Sequence, residues 1–199
     1  PCPWLLSPAS RPSGSVPHPP GLRGMPLEAV RRPFSPPHPP FRFNACLVVA
    51  AAAVTLLVGP GTFQPVECNR IEDHPMHDER FEISAATART VNQSKAEGRR
   101  IISVGTTSMR VLESVATGDA QIKPQLGRTK IFIYPPHEFQ LVDALLTNFH
   151  LPKSTLLMLV SAFAQPGGTD GRERVLRAYA YAVAERYRFF SYGDAMFLH

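Results

Sequence analysis

Proline is distributed unevenly along this chain, and its distribution limits which part can form a folded domain. Thirteen of the 21 prolines lie in the first 40 of the 199 residues. Proline fixes φ and removes a backbone donor, so runs such as "FSPPHPPF" interrupt both helical and strand periodicity. We therefore predict a disordered Pro-rich segment over residues 1–44 and one α/β domain over residues 45–199.

The net charge of +5 is placed mostly in that Pro-rich segment, which carries five Arg and one Glu. The predicted domain has a net charge of only +1. Bulk charge therefore gives no argument that the domain binds RNA, and any such function must rest on particular residues.

Cys2, Cys46 and Cys68 are far apart, so their spacing predicts neither a disulfide framework nor a cysteine zinc site. The apolar run over residues 45–58 is too short to span a bilayer. We expect a cytoplasmic protein without membrane association. The Arg-containing, acid-poor residues 1–44 leave organellar targeting as an alternative.

The pattern after the Pro-rich segment alternates strands and helices. Residues 54–58 are β-branched and apolar and predict a buried strand, whereas the polar residues 67–83 predict a loop. Ser84 is suited to cap a helix over residues 85–97, which Gly98 would end.

The second half of the domain continues this alternation. Residues 99–116 predict a strand, a glycine turn and a helix, and residues 129–134 predict a strand. Residues 172–187 predict a long helix, capped by Thr169 or Asp170. Its predicted core-facing residues are Val175, Leu176, Tyr179 and Val183. The fold class is α/β, with a mixed sheet and flanking helices.

The stretch "LLTNFHLPKSTLLMLVSAFA", residues 145–164, places polar residues between two strongly apolar runs. A buried polar group needs a partner, so this cluster either forms a tight structural corner or contacts a ligand. The pattern leaves both readings open, with Pro152 predicted to start the following helix. The polar residues are Thr147, Asn148, His150, Lys153, Ser154 and Thr155.

Gly105, Thr106, Thr107 and Ser108 lie between a predicted strand and a predicted helix. Backbone N–H groups and the helix dipole favour an anion there, although an ordinary connection has the same pattern. Arg110 and Glu113 follow at a spacing of three, which is also typical of a surface ion pair.

Three further stretches contain candidate groups. "GPGTF", residues 59–63, lacks the third glycine of a dinucleotide fingerprint, so a geometric role for its glycines is the simpler interpretation. "EDHPMHDE", residues 72–79, favours acid–base chemistry over a metal site because no third ligand is evident. "FFSYGDAM", residues 189–196, could clamp a base or a sulfonium, or simply close the core.

These stretches, in this order, resemble one family. "VTLLVGPGTFQPV", "IEDHPMH", "VGTTSMRVLES", "IFIYP", the stretch at 145–164 and "YRFFSYGDAM" are similar to the C-terminal half of the S-adenosylmethionine:tRNA ribosyltransferase-isomerase (QueA) family. The resemblance covers roughly residues 54–196. It implies a QueA-like main domain that is incomplete here.

The resemblance implies an enzyme of queuosine biosynthesis. It would transfer and isomerise the ribosyl part of S-adenosylmethionine onto 7-aminomethyl-7-deazaguanine in tRNA, giving epoxyqueuosine-tRNA. S-adenosylmethionine is then a consumed substrate, tRNA is a partner, and no cofactor or metal is expected.

The resemblance also assigns roles to the candidate residues. The catalytic candidates are His74, His77, His150 and Asp194. The substrate-binding candidates are Gly59, Gly61, Thr62, Phe63, Gly105, Thr106, Thr107, Ser108, Arg110, Glu113, Asn148, Phe149, Ser154, Thr155, Phe190, Tyr192 and Gly193.

The chain departs from the family at Leu57 and Pro136, where family members usually have His and Gly. The family's N-terminal half has no counterpart in this sequence, so we expect strands with open edges and exposed apolar faces. The alternative function is a catalytically inactive fragment that at most binds tRNA, S-adenosylmethionine or another protein.

Overall fold

A computed structural model describes residues 49–59, 65–68 and 70–199 of the chain. The predicted Pro-rich segment and the candidate residues Gly61, Thr62 and Phe63 lie outside the described residues. The described part is a mixed α/β structure, which confirms the predicted fold class.

This part of the chain contains six strands and four α-helices. The strands are β1 Thr55–Leu57, β2 Glu79–Ile83, β3 Ile102–Val104, β4 Gln125–Thr129, β5 Ala144–Asn148 and β6 Ala195–Leu198. The helices are α1 Ala85–Ala96, α2 Thr106–Val115, α3 Thr155–Ala164 and α4 Gly171–Ala184.

The first sheet has the antiparallel strand order β1-β2-β4. The prediction that residues 67–83 form a loop is wrong at its end, because β2 alternates strictly between buried and exposed residues. Phe81 and Ile83 point into the core, whereas Arg80 and Glu82 are exposed. Three of the five residues of β2 are charged, so the alternation of buried and exposed positions was not recognised from the sequence.

β4 lies earlier in the chain than the strand predicted at residues 129–134. Its register is fixed by β2, with Glu79 opposite Thr129 and Ile83 opposite Gln125. Ile133 is buried although it lies in no strand. The apolar character of residues 131–134 therefore reflects core packing without strand pairing.

β1 forms a strand where the sequence predicted one, but it is not buried. Leu57 is 64% exposed, and β1 pairs on one side only, with β2. Leu56 packs against the core on one face of β1, but Thr55 and Leu57 are exposed on the other, so the prediction of a buried strand at residues 54–58 is wrong.

The second sheet has the order β3-β5-β6, in which β3 and β5 are parallel and β6 is antiparallel to β5. The carboxyl ends of β3 and β5 and the amino end of β6 therefore meet at one edge. Three of the predicted candidate stretches follow or precede these strand ends, so the topology brings them together.

The observed helices match the predicted helices to different degrees. Ser84 caps α1, accepting a hydrogen bond from Thr87 N–H, and Gly98 has a φ of 67° after the helix, as predicted. The helix predicted at 172–187 is α4, and Asp170 is its N-cap residue without a side-chain capping bond. The start of α3 differs from the prediction, because its N-cap is Ser154 and not Pro152.

The core-facing stripe of α4 is also narrower than predicted. Val175 and Tyr179 are buried, but Leu176 and Val183 are exposed, and Ala182 takes the third buried position. α4 packs against α3 at Gly171, where a Cβ would lie 1.9 Å from the Ser161 carbonyl oxygen. At Gly171 the two helices approach too closely for any side chain at that position.

No helix within residues 49–59, 65–68 and 70–199 is long and apolar enough to cross a membrane.

Candidate active site

The candidate site lies at the edge of the second sheet where β3 and β5 end and β6 begins. We call it the site edge and define it as residues 105–108, 147–155 and 188–194. Gly105 N–H donates to the Leu146 carbonyl at 2.8 Å, and Phe190 N–H donates to the Phe149 carbonyl at 3.0 Å. The first bond ties Gly105 to the residue just before the second segment, and the second bond joins the second and third segments directly.

The first segment begins α2. Gly105 is the N-cap residue, with a φ of 87° and no side chain to cap the helix. Thr106 is buried and Thr107 is exposed, while Ser108 Oγ donates to the Val104 carbonyl at 2.9 Å. The helix dipole and the first-turn N–H groups favour negative charge at this end of α2.

The second segment is a tight corner whose polar groups bond to one another. Thr147 Oγ1 and His150 Nε2 are 3.1 Å apart, and Ser154 Oγ accepts from Leu157 N–H at 3.1 Å. Ser154 Oγ also donates to the Leu151 carbonyl. The structural reading of this stretch is therefore confirmed, and the same bonds fix His150 at the site edge.

His150 is largely buried, and burial lowers its pKa to about 4. Its backbone N–H donates to Tyr179 Oη at 2.9 Å, and the pKa of that buried phenol is raised to about 12. The imidazole is therefore neutral near pH 7, and a neutral imidazole has one nitrogen that can accept a proton.

The third segment is a turn with exposed aromatic rings. Phe190 is 51% exposed and has a φ of 69°, and Tyr192 is 98% exposed. Asp194 closes the turn by accepting from Arg188 N–H at 2.6 Å, and a Cβ at Gly193 would lie 2.3 Å from the Arg188 carbonyl oxygen. A left-handed conformation at a non-glycine residue is typical of functional turns.

Three other candidates at the site edge have mainly structural positions. Asn148 pairs with Ala195 between β5 and β6. Phe149 is buried, with its ring 5.2 Å from that of Tyr179 and 4.8 Å from that of Phe189. Thr155 is the buried first residue of α3.

A buried ion pair lies below the first segment. Arg110 Nη2 is 2.7 Å from Glu79 Oε2, and the two side chains are only 4% and 1% exposed. Glu79 Oε1 also accepts from Gly59 N–H at 3.1 Å. The positive charge of Arg110 is thus balanced within the protein, and its predicted contact with an anionic substrate stays a prediction.

Glu113 does not form the surface ion pair that its spacing from Arg110 predicted. Its carboxylate is buried and accepts hydrogen bonds from three consecutive backbone N–H groups, those of Gln140, Leu141 and Val142. The structure therefore gives Glu113 the role of fixing the chain before β5.

Pro65 and Val66 contact the corner. Val66 N–H donates to the Lys153 carbonyl at 2.9 Å, and Pro65 forms a bridge with Ser154. Lys153 has a φ of 60°, a second left-handed non-glycine residue at the site edge. Gly59 is held by Glu79, so both described ends of the 59–66 stretch are attached near the site.

His74 and His77 lie in the polar stretch before β2. His74 packs against Phe132, with ring centroids 5.5 Å apart, and burial together with the charge of His77 lowers its pKa. His77 is exposed. No three His, Cys, Asp or Glu side chains in the described residues form a possible metal site.

Glu79 and Tyr179 were missed as site-related residues by the sequence analysis. Glu79 falls in a run of acidic residues typical of a solvated loop, and Tyr179 occupies a helix position typical of the core. Only the alternation from Glu79 to Ile83 could have indicated that this carboxylate is buried.

Comparisons with known proteins identify the family of the chain. The model of the family described as "Queuosine biosynthesis protein" matches residues 47–198. The chain belongs to this family.

Relatives of the chain carry one name. The S-adenosylmethionine:tRNA ribosyltransferase-isomerase of Natranaerobius thermophilus is 56% identical over 147 residues, which are 74% of this chain and 41% of the relative. The protein of that name from Geobacter sulfurreducens is 57% identical over 150 residues, 75% of this chain and 42% of the relative.

A solved structure shows the same fold. The S-adenosylmethionine tRNA ribosyltransferase from Thermotoga maritima matches with a TM-score of 0.55 and 50% sequence identity, over 61% of this chain and 40% of that chain. The chain therefore spans about two fifths of the length of the relatives it matches.

Proposed function

We propose that the site edge takes part in the reaction named for the relatives, transfer and isomerisation of the ribosyl moiety of S-adenosylmethionine to tRNA. The acceptor is 7-aminomethyl-7-deazaguanine in tRNA, and the product is epoxyqueuosine-tRNA with adenine and methionine released. The observation that supports this is the convergence of three family-like stretches at one sheet edge in a chain that belongs to the family.

Each segment of the site edge suits one part of this substrate. The amino end of α2 at Gly105–Ser108 favours an anion, which is the methionine carboxylate or a tRNA phosphate. The exposed rings of Phe190 and Tyr192 offer faces on which adenine or another base can stack. The sulfonium cation is attracted to the same aromatic faces.

His150 is the group we propose for proton transfer. A sulfonium acidifies the neighbouring ribose C–H, and removal of that proton starts ring opening and adenine loss. Because burial lowers the pKa of His150 to about 4, the neutral form that can accept a proton dominates at neutral pH. The same low pKa disfavours His150 as the acid that protonates adenine.

His74, His77 and Asp194 remain candidates for the acid. Asp194 is held by Arg188 within the aromatic turn. S-adenosylmethionine is consumed for its sugar in this scheme, so it is a substrate and no further cofactor is required. We place the reaction in the cytoplasm, where tRNA and S-adenosylmethionine are both present.

The experiment is an assay of adenine release. The purified chain is incubated with S-adenosylmethionine and precursor tRNA, alone and together with the part of the Natranaerobius thermophilus relative outside the 147 matched residues. We expect adenine and a tRNA carrying the modified base in the combined reaction, and no adenine when either tRNA or S-adenosylmethionine is omitted. Absence of adenine from a combined reaction whose components co-purify would contradict the proposal.

His199→Ala is the matched control for His150→Ala. His199 is exposed at the end of the chain and lies outside the site edge. We expect the His199 variant to release adenine at the rate of the unmodified chain.

A further inference from the structure

The two ring nitrogens of His150 have different surroundings. Nε2 lies 3.1 Å from Thr147 Oγ1, and Thr147 is only 5% exposed, so this contact is inside the protein. Nδ1 makes no hydrogen bond to any residue within 49–59, 65–68 and 70–199. It is not a buried polar atom without a partner either, so it has access to solvent. Nδ1 is therefore the nitrogen that a substrate at the site edge can reach.

Contacts on both sides of His150 fix this arrangement. Thr147 is held in β5 by its pairing with Met196 on β6. The His150 backbone N–H donates to Tyr179 Oη at 2.9 Å, and the ring of the buried neighbour Phe149 lies 5.2 Å from the Tyr179 ring. The backbone around the imidazole is thus fixed, and the contact with Thr147 determines which nitrogen points inwards.

The tautomer of the neutral ring decides what Nδ1 can do. Burial lowers the pKa of His150 to about 4, so the ring is neutral near pH 7 and carries its proton on one nitrogen only. With the proton on Nδ1, that atom could only donate. With the proton on Nε2, the lone pair of Nδ1 is open to a substrate proton. A threonine hydroxyl has two acceptor lone pairs, so Thr147 Oγ1 can accept from Nε2–H.

We propose that Thr147 is a positioning residue for the reaction, whose hydroxyl accepts a hydrogen bond from His150 Nε2–H and thereby makes Nδ1 the proton acceptor. The hydrogen bond made by one ring nitrogen of a histidine sets the protonation of the other. This inference rests on the proposed function, in which His150 is the base. It adds the atom that takes the proton and the residue that selects this atom.

The tautomer matters in the proton-transfer step. The ribose C–H bond beside the sulfonium breaks, its electron pair stays on carbon, and an N–H bond forms at Nδ1. The positive charge gained by the imidazole equals the negative charge gained by carbon. Both nitrogens of the imidazolium are donors, and Nε2–H keeps Thr147 Oγ1 as its acceptor. The hydrogen bond to Thr147 therefore need not reverse during the step, as in a preorganised site.

The tautomer is measured by ¹⁵N NMR of the full chain with labelled histidine, near neutral pH and without substrate. The chain has seven His, and the His150 signals are those that disappear in His150→Gln. We expect a protonated Nε2 and an unprotonated Nδ1. The reverse pattern would overturn the proposal, because Thr147 would then be the donor and Nδ1 could not accept a proton.

Threonine variants test whether the hydroxyl selects the tautomer. Thr147→Val leaves a buried Nε2–H without an acceptor, so the proton should move to Nδ1, where water can accept from it. Thr147→Ser keeps a hydroxyl and should keep the proton on Nε2. An unchanged tautomer in Thr147→Val would overturn the proposal.

Thr129→Val is the matched control for the loss of a buried strand hydroxyl. Thr129 is 6% exposed on β4, and its Oγ1 accepts from Ile131 N–H at 3.1 Å. We expect Thr129→Val to leave the His150 signals unchanged. A shift of the His150 tautomer in this variant equal to that in Thr147→Val would overturn a specific role of Thr147.

The rate of adenine release, measured with the remaining part of the relative, is the functional readout. We expect Thr147→Val to lower kcat at least about 10-fold and to change KM for S-adenosylmethionine less than about twofold, because the hydroxyl acts on proton transfer and not on binding. Thr147→Ser should restore most of the rate.

The same assay separates this inference from the proposed function. A rate lost in His150→Ala but kept in Thr147→Val would overturn this inference and leave the proposed function standing. A full rate in His150→Ala would overturn the proposed function, and with it the catalytic part of this inference.

Discussion

The polar stretch at residues 70–78 and the buried polar groups of Glu79, Arg110 and His150 contain the same kinds of side chain but differ in burial. Asp78 and Arg128 form an ion pair at 2.6 Å with side chains 35% and 51% exposed, whereas the adjacent Glu79 and its partner Arg110 are almost fully buried. His74 is half-buried and His150 largely buried. The His150 backbone N–H donates to the Tyr179 hydroxyl on α4, whereas the His74 backbone N–H donates to the Ile71 carbonyl in its own stretch. The difference shows that burial, more than residue type, decides which polar groups are fixed in position.

The largest expected effect comes from substituting the two adjacent acidic residues, Asp78 and Glu79. Glu79→Ala leaves the Arg110 guanidinium buried without its charge partner, which should lower the free energy of unfolding by about 3–5 kcal/mol. Asp78→Ala removes an exposed pair and should cost less than about 1 kcal/mol, because water screens that interaction. Urea unfolding of both variants measures the difference in the free energy of unfolding. Equal losses would show that burial does not distinguish the two acidic residues.

The two histidines give the second test, through the pH dependence of stability. The pKa of His150 is about 4 in the folded protein, below its ordinary value of 6.5. The unfolded chain therefore binds the proton more readily, so stability is complete above about pH 6.5 and falls as the pH decreases towards 4. The loss attributable to His150 is on the order of 3 kcal/mol.

His150→Gln should remove most of this pH dependence, and His74→Gln should remove less. The pKa of His74 is lowered by burial and by His77, so its contribution has the same sign. Urea midpoints between pH 4.5 and 7 compare the three proteins. An unchanged slope in the His150 variant would show that its imidazole is not kept neutral by burial.

How much of the structure follows from sequence differs between the site edge and β2. The segments of the site edge were predictable as local elements, because Gly105 and the strand ends have local signals, whereas the Ser154 cap was not predicted. The burial pattern of β2 was not predictable, because charged residues such as Glu79 and Arg80 are typical of a solvated loop. In the structure β2 pairs with β4, Glu79 is buried and Arg80 is exposed. The exposed apolar faces were also expected, and Ile102 and Val104 confirm them.

Tyr179 provides a smaller test of the fixed position of His150. Tyr179→Phe keeps the buried ring but removes the oxygen that accepts from His150 N–H, which leaves that N–H without its partner and should cost about 1–2 kcal/mol. Tyr181→Phe is the control, since Tyr181 is 52% exposed on the same helix and should change stability by less than about 0.5 kcal/mol. Thermal unfolding distinguishes the two, and an identical midpoint would mean that the phenol does not hold the corner.

The smallest expected effect is that of the helix cap. Ser154→Ala removes the oxygen that accepts from Leu157 N–H and should lower stability by about 1 kcal/mol. Ser191→Ala, in the exposed aromatic turn, should be close to neutral. If Ser154→Ala were also neutral in urea unfolding, the corner would not depend on its cap.

The rate of adenine release by the assembled complex of this chain with the remaining part of the family fold tests the central claim directly. If the site edge carries the reaction, His150→Ala should lower kcat by at least about 100-fold, as expected for a lost proton-transfer group. His199→Ala should leave kcat unchanged. Equal rates for the unmodified, His150→Ala and His199→Ala proteins would contradict the assignment of the reaction to the site edge.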